Sequence, residues 1–272
     1  MSNTMRTKRV EQSARMGVLT VASTLALMLA SPLSHAATGA ATNKASSNAA
    51  SGSTSNPSEV LNARQQAIVP IAAAGAAGDM VRLNKALEQG LDAGLTINDG
   101  KEILVQLYAY AGFPRSLNAL GELMKVVDAR KQRGIQDAPG ALPSRPIPKG
   151  DALLAAGTAN QTKLSGGPVK GALFDFAPAA DEYLKTHLFG DIFERDNLDW
   201  QSRELATLGM LSALPGADSQ LQAHMRISMN VGLTAAQLRQ LGQVLAERVD
   251  ADHARRANQA LDRHLATLSG AK

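Results

Sequence analysis

The segment Leu91-Asp92-Ala93-Gly94-Leu95-Thr96 returns 138 positions later as Met229-Asn230-Val231-Gly232-Leu233-Thr234. Each copy has the make-up of a joint between two helices. Glycine takes the left-handed conformation that ends one helix, and threonine caps the next. Two further landmarks keep the same order. Arg64 faces Arg203 at nearly the same offset, each opening an apolar helix, and Gly78-Asp79 faces Ala217-Asp218. A chain that carries the same joint twice in the same helical context reads as a duplicated helical module.

The rest of the pattern agrees with helices. Leu205, Leu208 and Leu211 recur at spacing three, with Met210 and Leu214 beside them. Leu238, Leu241 and Leu245 behave alike, and Ile103, Leu107 and Ala111 recur at spacing four. These are apolar stripes of helical period. Strand-like alternation is scarce, aromatics are 3% of residues and alanine is abundant, which favours close-packed helices over a β-sandwich. The fold class is therefore all-α. Ordered helix is expected from about Pro57-Ser58-Glu59. Residues 133–150 hold Pro139, Pro143, Pro146 and Pro148, and read as an irregular connector because proline removes backbone donors and restricts its predecessor. Thr158 to Gly171 also reads as irregular, with helix resuming around Ala179 to Leu188. The chain thus divides into a first helical block (57–132), a connector (133–172) and a second block (173–270).

Ahead of these lies a basic leader (Arg6, Lys8, Arg9, Arg15), then an apolar run from Val18 to Ala30, then Ser34-His35-Ala36. That order is the pattern of a secretory signal peptide over residues 1–36. The apolar run falls short of the roughly 20 residues of a spanning helix. The expectation is an exported protein, periplasmic or secreted, with no stable membrane anchor after cleavage; the other reading is an uncleaved anchor. Residues 37–56 are Ala, Ser, Thr, Gly and Asn with one charge, Lys44, and read as a disordered tether. Without the leader the chain has 24 basic and 23 acidic residues, which gives no case for nucleic acid as a partner. The chain has no cysteine, so disulfides, thiolate metal sites and thiol redox chemistry are excluded. Stability must come from packing and from homo-oligomerisation.

Glu204 and His224 are the first pair with chemical potential. Leu205 to Leu214 reads as one helix, Pro215-Gly216 as a turn and Asp218 to Val231 as a returning helix. An antiparallel hairpin of that length brings the two within about one turn of the same level. A carboxylate beside an imidazole fixes its tautomer and suits it to general acid–base work. Glu204 can instead pair with Arg203 or Arg226 as a structural contact. Tyr108-Ala109-Tyr110-Ala111-Gly112-Phe113-Pro114-Arg115 is the densest aromatic stretch. Tyr110 can donate a hydrogen bond to a ligand there and Arg115 can bind a carboxylate, or the stretch can be helix-to-helix packing. His187, near Gly190 and Asp191, lines a pocket or caps a helix end. No histidine pair has the i, i+4 spacing of a helical metal site and no phosphate-cradling glycine loop occurs, so neither metal nor cofactor is expected.

Four segments together carry a resemblance: Leu198 to Leu208, Gln220 to His224, Asn230-Val231-Gly232-Leu233-Thr234, and Tyr108 to Leu120. The Arg-Glu-Leu opening, the following histidine and the Asn-x-Gly-Leu-Thr joint resemble the carboxymuconolactone decarboxylase family, the group that also holds alkyl hydroperoxidase-like proteins. The resemblance spans roughly residues 60–125 and 190–265, and implies two all-helical modules in one chain, assembled as a trimer. Peroxidase members carry a Cys-x-x-Cys just before the family histidine. Here those positions are Ala217 and Gln220, so a thiol peroxidase is excluded. No histidine occurs between 36 and 186, so a histidine-dependent site exists once per chain. Decarboxylase members act without cofactor on a small unsaturated lactone bearing carboxylates. The resemblance then implies His224 as proton donor, Glu204 orienting it, Tyr110 donating to the carbonyl, and Arg203, Arg115 or Arg226 holding carboxylates. A different class of function is a non-catalytic binding or scaffold protein of the cell envelope.

Overall fold

The computed structural model describes residues 59–270; the leader and tether of the sequence reading lie outside them, as do Pro57 and Ser58. Helix begins five residues after Ser58. Asn62 caps α1 (Ala63–Ala77) in a box with Gln65, and Gly78 ends it at φ 74°. Asp79 caps α2 (Met80–Asp92). After Gly94, Thr96 caps α3 (Ile97–Gln106) in a box with Asp99. Next comes α4 (Tyr108–Gln132), broken at Gly112, whose φ of 80° and ψ of 161° are not helical. Among the described residues no strand occurs.

The last third repeats this plan. Asp199 caps α8 (Trp200–Ser212), Gly216 turns the chain at φ 83°, and α9 runs Asp218–Asn230. After Gly232, Thr234 caps α10 (Ala235–Arg248) in a box with Gln237, and Asp250 caps α11 (Ala251–Ser269). A shift of 138 carries α2 onto α9 at both ends, the start of α3 onto that of α10, and Gly112 onto Asp250, where α11 begins. Two pairings of the sequence reading move by one residue. Gly78 corresponds to Gly216, and the cap Asp79 to Ala217 rather than Asp218. Arg64 and Arg203 are not equivalent: Arg64 pairs with Asp99 of its own set at 2.7 Å, whereas Arg203 crosses to Glu102 of the other.

Packing repeats as well. α2 and α4 lie against each other as α9 and α11 do, and α3 meets α4 as α10 meets α11. α1 and α8 cross at the centre of one shared core. Their small residues permit this: a Cβ on Gly209 would come within 2.7 Å of the Val69 carbonyl oxygen and 3.0 Å of the Ala72 Cβ. Ala67, Ala72, Ala73, Ala74 and Ala76 are buried along the α1 side. Buried Arg130 ties the end of α4 to Glu88 and Asp92 of α2 and to Asp137 of the connector, each at 2.9 Å.

The connector is not irregular throughout. Residues 135–149 are, but α5 fills Asp151–Ser165, against the expectation for Thr158 onward. The threonines that suggested a loop satisfy themselves inside the helix: Thr158 donates to the Leu154 carbonyl and Thr162 to that of Thr158. Two short helices follow, α6 (Ala172–Phe176) and α7 (Pro178–Tyr183), and then a π-helix, Leu184–Ile192, where ordinary helix was expected. Gly157 lets the Lys185 carbonyl of the π-helix press directly onto α5. Leu164, Leu188, Phe189, Ile192 and Phe193 form a second apolar cluster with Ile227 of α9. No helix among the described residues is long and apolar enough to cross a membrane.

Candidate active site

The α8–α9 hairpin has the geometry read from its spacing. His224 Nδ1 lies 2.8 Å from Glu204 Oε2. Glu204 is wholly buried, while about a tenth of the His224 side chain stays accessible. A carboxylate that accepts from Nδ1–H leaves Nε2 as the working nitrogen of the imidazole. Nε2 makes no hydrogen bond among the described residues. The second carboxylate oxygen, Glu204 Oε1, is buried and has no hydrogen-bond partner among the described residues.

Tyr110 of α4 comes to the same place from the other helical set. Its ring meets the His224 ring edge-on, centroids 6.0 Å apart. Its hydroxyl lies 3.1 Å from Thr207 Oγ1. Gln106 Nε2 donates to the Arg203 carbonyl at 2.9 Å and to Thr207 Oγ1 at 2.8 Å. Thr207 in turn donates to the Tyr110 oxygen, and the phenolic O–H makes no further hydrogen bond among the described residues. Burial, and then the charge of Glu204, push the Tyr110 phenol well above its ordinary range, so it stays a donor.

The cationic residues named from the sequence sit elsewhere. Arg203 is fully buried and committed: it donates to Glu102 Oε2 at 3.0 Å and to the Arg195 carbonyl at 2.8 Å. It is the immediate neighbour of Glu204 in sequence, and about 100° of helix turn aims it into α3 instead of the site. It is a linchpin between the two helical sets, not a ligand group. Arg226 is exposed on α9, about 200° around from His224, where its charge acts on His264 of α11. Arg115 places its guanidinium beside Gly78, at the C-terminal end of α1. His187 is exposed on the π-helix, 3.4 Å from Asp191, with its ring beside Tyr183. Among the described residues, none of these four side chains forms a hydrogen bond, ion pair or ring contact with Glu204, His224 or Tyr110.

Gln106, Thr207 and Glu102 escaped the sequence reading. One signal for two of them was present: Glu102 and Gln106 are polar residues four apart in the otherwise apolar run Ile103-Leu104-Val105. Glu102 takes a bidentate hold from Arg195 and bonds from Asn197 and Arg203. Burial opposes its ionisation, but these donors outweigh it and hold the carboxyl below the usual range. Among the described residues, no group of three His, Cys, Asp or Glu side chains is placed to hold a metal ion. Two open clefts of the described residues are lined by neither member of the pair. One of about 630 Å³ runs along α3 and α4, and one of about 510 Å³ lies between α1, α2 and the end of α10.

Residues 178–263 match the carboxymuconolactone decarboxylase family. The match begins at α7 and ends within α11, so it takes in the π-helix, the α8–α9 hairpin and both Glu204 and His224. No curated protein matches the chain.

Proposed function

We propose that Glu204 and His224 are the acid–base pair of a cofactor-free carboxy-lyase, acting on a small unsaturated lactone or related acid that bears carboxylates. The observation that carries the proposal is the 2.8 Å contact between the two side chains, which leaves Nε2 unengaged at an accessible edge, inside a segment that matches the decarboxylase family. In this reading the substrate C–C bond to the carboxylate breaks and CO2 leaves. The electron pair moves through the conjugated system onto the lactone carbonyl oxygen. The Tyr110 O–H donates to that oxygen. The Nε2–H of a protonated His224 then delivers its proton to the far carbon, and the imidazole recovers one from water, with Glu204 holding the ring throughout. The apolar cluster of Phe189, Ile192 and Phe193 adjoins Tyr110 and offers a leaving carboxylate little solvation, which favours its loss.

The wider proposal is an exported chain, periplasmic or secreted, with two modules of one kind joined through the connector and three chains per assembly. The correspondence at 138 residues of α2 with α9 at both ends, and of the start of α3 with that of α10, supports the two modules. A second reading, a non-catalytic binding protein of the envelope, is favoured by one observation: neither of the two clefts described above is lined by Glu204 or His224. Measurement of CO2 release from carboxymuconolactone separates the two. The proposal expects turnover by the wild-type protein and a loss of at least about 100-fold in His224→Ala. A folded wild-type protein with no turnover above buffer rejects this reaction and leaves the binding reading.

A further inference from the structure

The shift of 138 residues that relates the helix boundaries also relates the acid–base site to a second place in the chain. Counting back from His224 reaches Ala86, and counting on from Tyr110 reaches Arg248. The crossing helices α1 and α8 correspond at 137, from cap Asn62 to cap Asp199, which carries Glu204 to the buried Ala67. Ala86 and Arg248 both line one cleft, the opening of about 510 Å³ between α1, α2 and the end of α10. The cleft therefore lies at the counterpart of the site, built from different side chains.

The substitutions remove chemistry and add charge. A methyl replaces the carboxylate and the imidazole alike, at Ala67 and Ala86, and a guanidinium replaces the phenol, so no acid–base pair is left. Arg82 and Asp92 also line the cleft, but Arg82 is held by Asp79 at 3.3 Å and Asp92 by Arg130 at 2.9 Å. Lys85 and Arg248 form no ion pair or hydrogen bond among the described residues, and Glu247 is the one acidic neighbour left without a cation. Two unpaired cations lining one concave surface suit two carboxylates, and a single opposing carboxylate sets a limit on how much negative charge the cleft accepts.

We propose that this cleft binds a small dicarboxylate without turning it over, through Lys85 and Arg248. The inference uses the helix correspondence and the charges, and does not depend on any reaction at His224. Succinate is the probe, titrated calorimetrically into the full-length protein at low ionic strength. Saturable binding is expected in the wild type and in His224→Ala alike. Lys85→Ala/Arg248→Ala should weaken it at least about tenfold, and Glu247→Gln should tighten it. Both cations are exposed, so the double variant keeps its fold, as its helical circular dichroism will report. Neutral succinamide should not bind. Absence of saturable binding by the wild type overturns the proposal, as does undiminished binding by the double variant. Loss of binding in His224→Ala would place the anion at the other site and equally overturn it. A failed decarboxylation assay touches none of these outcomes.

Discussion

Glu204 is fully buried, and among the described residues His224 is the one group hydrogen-bonded to its carboxylate. Replacing one member of such a pair strands the other, at about 3–5 kcal/mol, whereas replacing both by apolar groups is often neutral. Urea denaturation should show His224→Leu strongly destabilised and Glu204→Leu/His224→Leu restored to near wild type. A double variant as weak as the single one would mean the pair holds the fold. Tyr110→Phe keeps the ring against His224 and removes the donor, so kcat should fall about 10- to 100-fold with little change in melting temperature; an unchanged kcat would remove Tyr110 from the reaction. The pair itself was legible from hairpin arithmetic, because rise per residue fixes the level of a side chain along a helix. Direction around the helix was less legible. Arg203 and Glu204 are neighbours in sequence, yet one faces α3 and the other α9, and only the positions of those helices decide which.

At the scale of elements, the two Gly-Leu-Thr joints are the most transferable feature. Both glycines have positive φ, 89° at Gly94 and 98° at Gly232, and both threonines form a capping box. Thr96→Ala and Thr234→Ala should each cost about 1 kcal/mol, and thermal melts of the two variants should shift by similar amounts. A large inequality would show that only one joint keeps its local role. These joints could be read because their chemistry is local: a left-handed residue followed by a capping hydroxyl. α5 could not, since its Thr158 and Thr162 look like loop residues until their hydroxyls are seen bonded to carbonyls one turn back. The π-helix was read as ordinary helix because its apolar residues carry no period of their own that separates the two.

For the whole molecule, the two helical sets meet at a polar seam and an apolar crossing. The seam is Glu102 of α3 gripped by Arg195, Asn197 and Arg203. Its carboxyl is held below the ordinary 4.5, so the unfolded chain takes up the proton first as pH falls. The stabilisation is full above about pH 4.5 and drains away as pH drops through the lower folded value. Glu102→Gln should flatten that part of the stability–pH curve; an unchanged acid limb would assign acid unfolding to other carboxyls. The crossing has a different consequence. Because α1 and α8 each cover the other's buried face, the peptide link between the sets is dispensable once they have come together. A single protease cut in residues 140–149 should yield two fragments that elute as one species, melt as one species, and part only when both lose their helices.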